Sequence, residues 1–103
     1  MNSSFLYIIT NVDNTILYIG VSSNLSKKMV QHQNKSYQLA FAARFDLYKL
    51  VYWKAFSSNS DAADFHKELK AAPLEAKEVL IEAMNPHWED LSEYFPEDVL
   101  SSE

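Results

Sequence analysis

The sequence predicts a small α+β domain, a three-stranded sheet flanked by helices in the order ββαβαα. Three observations carry this. Two short apolar runs rich in β-branched and aromatic residues, at 5–9 and 16–19, flank a turn-prone stretch. A third run of the same kind covers 48–56. Two segments of helical period, at 61–70 and 74–84, come after it. Strands and helices interspersed in this way pack as layers around one core.

The elements follow in order. Phe5-Leu6-Tyr7-Ile8-Ile9 is the first strand and Ile16-Leu17-Tyr18-Ile19 the second. Between them, Asn11-Val12-Asp13-Asn14 supplies side chains that bond their own backbone, so the pair reads as a hairpin with a loop longer than two residues. Neither strand alternates cleanly, which predicts cover on both faces. Ser22-Ser23-Asn24 offers N-cap candidates for a short helix, with Leu25 and Met29 as its apolar stripe and Lys28 and His32 on an adjoining one. Residues 33–40 are polar and weakly patterned. In the third strand, strict alternation puts Leu50, Tyr52 and Lys54 on one face and Val51, Trp53 and Ala55 on the other. The serines and asparagine at 57–60 form a loop with a helix cap. The next helix carries Ala62, Phe65 and Leu69 on one face, and Asp61 is a further candidate cap. Pro73 suits the first turn of the last helix, whose period runs through Leu74, Lys77, Leu80, Ile81 and Met84. Asn85-Pro86 stops it, because the residue before proline is pushed out of the α region. Trp88, Leu91, Tyr94 and Phe95 form a tail that packs back on the domain.

Composition limits the function. The 103 residues make one domain's worth of chain, and 48% hydrophobic content with 14% aromatic residues excludes general disorder. The absence of cysteine excludes disulfides, thiolate zinc sites and a cysteine nucleophile. No apolar run approaches the ~20 residues of a membrane span, and no basic residue precedes the first one, so the chain reads as soluble and cytoplasmic. The net charge of −5 is divided unevenly. Residues 1–54 carry Lys27, Lys28, Lys35, Arg44, Lys49 and Lys54 against two acids, a net +4. Residues 55–103 carry three lysines against twelve acids, a net −9. Phosphate neutralisation supplies most non-specific nucleic-acid affinity, so a nucleic-acid role falls to the basic half. The acids of the second half read as a solvated helix face and tail.

Glycine usage singles out one position. Average usage gives about seven glycines in such a chain. There is one, Gly20, at the end of the second predicted strand. It marks a bulge or a close approach by a backbone or ligand, unless it is a plain strand-end turn. Tyr7 and Tyr18 bracket it, as phenols that could orient a water or phosphate oxygen or as packed aromatics.

Tyr7, then Tyr18-Ile19-Gly20 eleven residues on, then a helix with a basic residue and His32, resembles the GIY-YIG nuclease family. The chain is most similar to its small, stand-alone bacterial members, through FLYIITN at 5–11, LYIGVSS at 17–23, LVYWKAF at 50–56 and LIEAMNPHWEDL at 80–91. The resemblance implies a three-stranded antiparallel sheet, a single domain over 1–95 and an acidic tail at 96–103. It also implies a divalent-metal endonuclease site. Tyr7, Tyr18 and Lys28 would be the catalytic positions, with the two tyrosines near the attacking water and phosphate. Gly20, Lys28 and His32 would form the phosphate-binding positions. Lys28 occupies the place of the family's arginine, and His66 that of its metal-binding glutamate, with Phe65 beside it. Lysine lacks arginine's bidentate fork, and a neutral imidazole is a poor ligand for magnesium, though better for manganese, nickel or zinc. The basic stretch that follows in the family is here Ala71-Ala72-Pro73-Leu74-Glu75-Ala76. Asp64 and Glu68 lie two residues either side of His66, off its helix face.

The sequence therefore predicts a degenerate nuclease-like domain that binds nucleic acid through Lys27, Lys28, Lys35 and Arg44, or binds a protein. The alternative is an active endonuclease using magnesium, manganese or a softer metal on His66. A third reading is a protein-interaction module with an apolar patch near Phe65 and Trp53.

Overall fold

Residues 4–25, 46–47 and 49–94 are described by the computed structural model. Ser4–Thr10 forms β1, Leu17–Ser22 forms β2 and Lys49–Phe56 forms β3. All pairings are antiparallel and the order is β2-β1-β3, so the most apolar strand is central. Leu6, Ile8 and Ile9 are fully buried. Both faces are covered, as the lack of alternation predicts. Tyr7, Ile9, Leu25, Leu47 and Leu50 form the core on one side. Leu6, Ile8, Ile19, Val51, Tyr52, Leu69 and Ile81 form the core on the other.

Asn11 builds the hairpin loop. Its Oδ1 accepts from the Thr15 and Ile16 amides at 2.9 and 3.1 Å, and Thr10 Oγ1 donates to the Ile16 carbonyl at 2.7 Å. Asn14 takes the left-handed conformation, at φ 60, that asparagine tolerates. β2 starts at Leu17 rather than Ile16 and runs past Gly20 to Ser22, so Gly20 is interior to the strand and not at its end.

β3 departs from the predicted alternation. Ile8 faces Tyr52 and Ile9 faces Leu50, which leaves Val51 as the extra residue of a bulge. Leu50 and Trp53 therefore share the Tyr7 face, while Val51 and Tyr52 both join the opposite core.

Two helices cover that opposite face. Asn59–Ala71 is α1, two residues longer at its start than predicted. Its cap is Ser58, not Asp61: Ser58 Oγ accepts from the Asp61 amide at 3.1 Å, and Asp61 sits in the first turn. Ala62 and Leu69 are buried, and the Phe65 ring packs 5.6 Å from that of Phe56. Leu74–Met84 is α2, with Ile81 buried. Pro73 is its N-cap rather than a first-turn residue. Its ψ of 161 is extended, and its carbonyl accepts from Ala76 and Lys77. No helix among the described residues is long and apolar enough to cross a membrane.

The chain then returns as predicted. Trp88 packs on the helix-side core, and Leu91, in a 3-10 turn over Leu91–Tyr94, packs on the other. Leu25 is 1% exposed against Tyr7 and Ile9. The remainder of the predicted first helix, with Lys27, Lys28 and His32, lies outside the described residues. So do Lys35, Arg44, Phe95 and the acidic tail at 96–103.

Candidate functional site

Register brings three of the predicted positions together. Tyr7 pairs directly with Gly20, and Ile9 with Tyr18, so Tyr7, Gly20 and Tyr18 share one face of the sheet. The rings of Tyr7 and Tyr18 stand 6.4 Å apart at 48°, within the range of an aromatic pair. Tyr7 lays its ring across β2. A Cβ built on Gly20 would lie 2.5 Å from both Cζ and Oη of Tyr7, and 2.9 Å from Cε2. The close approach at Gly20 is made by a side chain, the Tyr7 phenol, rather than by the backbone or ligand the sequence suggested. Gly20 has no positive φ. The requirement for glycine here is room for a ring, not backbone freedom. Tyr7 is 2% exposed, whereas Tyr18 is half-buried.

His66 reaches the same strand from the helix side. Its Nε2 lies 3.1 Å from the Ile19 carbonyl oxygen. A carbonyl only accepts, so Nε2 carries the proton and donates, and the ring's available lone pair is on Nδ1. Ile19 lies between Tyr18 and Gly20, so α1 is fastened to the backbone of the Tyr-Ile-Gly segment itself. Asp64, Lys67 and Glu68 are exposed around His66. Among the described residues, no three histidine, aspartate or glutamate side chains converge where they could hold one ion.

Phe65 and Trp53 do not form the joint patch of the third reading. Phe65 packs in the helix-side core against Phe56, while Trp53 stacks 6.0 Å from Phe5 on the tyrosine face. The bulge at Val51 puts them on opposite sides of the sheet.

Two polar residues of the tail segment hold backbone, a role the helix-stop pattern at Asn85-Pro86 does not reveal. Asn85, 4% exposed, donates from Nδ2 to the carbonyls of Val51 at 3.1 Å and Glu89 at 2.8 Å. Its Oδ1 accepts from the Glu89 amide at 3.0 Å. Asp90 Oδ1 accepts from the Leu50 amide at 3.1 Å and from Ser92. Together they bond backbone groups of Leu50 and Val51, at the bulge of the edge strand. The signal was present in MNPHWEDL, as two short polar residues inside a tail that otherwise packs.

Residues 3–76 match the GIY-YIG catalytic domain, and the chain belongs to that family. The solution NMR structure of the UPF0213 protein BH0048 from Bacillus halodurans has the same fold. It is 22% identical, the match covers 85% of this chain and 92% of that one, and the TM-score is 0.55. A search of curated proteins gives no match.

Proposed function

We propose that this GIY-YIG domain binds nucleic acid and has lost metal-dependent phosphodiester cleavage. The observation that carries the reading is His66. It occupies the family's glutamate position, and its Nε2 proton is engaged by the Ile19 carbonyl. Magnesium seeks six hard oxygen donors in a near-octahedral set, and an imidazole offers only a nitrogen, here Nδ1, because Nε2 carries the proton. The donor set does not fit magnesium. What persists is the Tyr7–Gly20–Tyr18 arrangement, in which Tyr7 is buried and the half-buried Tyr18 is the phenol left to meet a phosphate in this reading. Lys28, with Lys27, Lys35 and Arg44, supplies the positive charge in this reading. The separation of Phe65 from Trp53 counts against the protein-interaction module.

The test is plasmid cleavage with magnesium, manganese and zinc in turn, beside the Lys28→Arg/His66→Glu variant. The wild-type protein is expected to leave the plasmid intact with every metal, and the variant to nick it. Cleavage by the wild type that disappears in His66→Ala establishes an active enzyme with an altered site instead.

A further inference from the structure

The turn between α1 and α2 folds two cations onto the edge of the sheet. A pocket of about 300 Å³ opens beside β2, lined by Leu17, Tyr18, Ile19, Lys70 and Lys77. Lys70 lies in the last turn of α1, and Lys77 at the start of α2. Lys77 Nζ reaches back to the Lys70 carbonyl at 3.5 Å. Among the described residues, neither lysine is paired with a carboxylate. Residues 55–103 hold only three cations, and two of them line this one pocket. Two ammonium groups beside a low-dielectric wall focus positive potential there, although the half of the chain that supplies them is strongly acidic.

Tyr18 joins this pocket to the tyrosine–glycine face, because it lines the pocket and also stands beside Tyr7. The apolar wall of Leu17 and Ile19 suits the sugar and base surface of a strand whose phosphate meets the lysines. We propose that Lys70 and Lys77 form a second phosphate-binding position, for a nucleic-acid strand that crosses Tyr18. The proposal rests on the nucleic-acid reading above. The pair flanks the segment 71–76, which has lost the family's basic residues, and the turn brings its two ends back to one place.

The experiment is fluorescence anisotropy with a labelled single-stranded oligonucleotide and with its duplex, across a salt series. For Lys70→Gln/Lys77→Gln, the slope of log K on log salt is expected to fall by about 1.4 on the single strand and about 1.8 on the duplex. Lys70→Arg/Lys77→Arg keeps both charges and should keep the wild-type slope. Lys67→Gln removes an exposed α1 lysine outside the pocket and should leave the slope unchanged. Wild-type slope in the glutamine pair overturns the proposal while leaving the nucleic-acid reading intact. An equal loss in Lys67→Gln also overturns it, because charge anywhere on α1 would then suffice. If the wild type binds neither oligonucleotide at low salt, the nucleic-acid reading fails and this site fails with it.

Discussion

At the scale of single residues, Gly20 leaves no room for a side chain. Any β-carbon there meets the Tyr7 ring at 2.5 Å. Tyr7 is buried and packed in the core with Ile9, Leu25, Leu47 and Leu50, so its ring cannot swing away without opening that core. Gly20→Ala is therefore expected to cost about 1–3 kcal/mol, the usual range for forcing extra volume into a packed site. Urea denaturation of Gly20→Ala, Tyr7→Leu and the double variant measures it. Removing the ring should make the alanine cheaper, so the two changes should be clearly non-additive. Strict additivity means that the ring and the glycine are not in contact. The sequence made this position conspicuous through glycine scarcity alone. It could not name the intruding group, because the pairing of Tyr7 with Gly20 depends on a register set by the hydrogen bonds of Asn11.

At the scale of elements, the two strands of the hairpin and both helices were legible, and the third strand only in part. Continuous apolar runs report burial on both faces, and β1 has it. Alternation reports faces only while the ladder is regular, and the bulge at Val51 breaks it. A bulge leaves backbone groups without ladder partners, and those groups must be met from elsewhere when buried. Asn85 bonds the Val51 carbonyl and Asp90 the Leu50 amide, from a segment 34 and 40 residues further along the chain, a distance over which local patterns carry no information. Helix α2 is thus stopped by a residue that also sews β3. Asn85→Ala should lose about 2–4 kcal/mol, since it strands the carbonyls of Val51 and Glu89 and the Glu89 amide together. Asn85→Asp keeps the acceptor for the Glu89 amide but turns an oxygen towards both carbonyls, so it should be no more stable than alanine at neutral pH. Urea midpoints of the two variants decide this. An aspartate as stable as asparagine shows that the two carbonyl contacts carry no weight.

At the scale of the whole molecule, the sheet is sandwiched between two cores, and Tyr52 sits in the one beneath α1 and α2 with Leu69 and Ile81. Burial there raises the Tyr52 phenol above the ordinary tyrosine value of 10.0, because a phenolate would lose its hydration. The consequence for folding has a definite sign. Below pH 10.0 the phenol is neutral in both folded and unfolded chains, and the fold keeps its full stability. Above it the unfolded chain releases the proton first and so binds fewer protons than the folded one, and stability falls as pH rises through the raised value. Tyr52→Phe keeps the ring and removes the titration. The substitution leaves the other five tyrosines of the chain unchanged, so the difference between the two proteins isolates this one group. Urea midpoints measured from pH 8 to about pH 11.5 should run parallel for the two proteins up to about pH 10 and then diverge, with the wild type losing stability faster. Curves that stay parallel throughout place the Tyr52 hydroxyl in water, and with it the upper end of the core that ties the helices to the sheet.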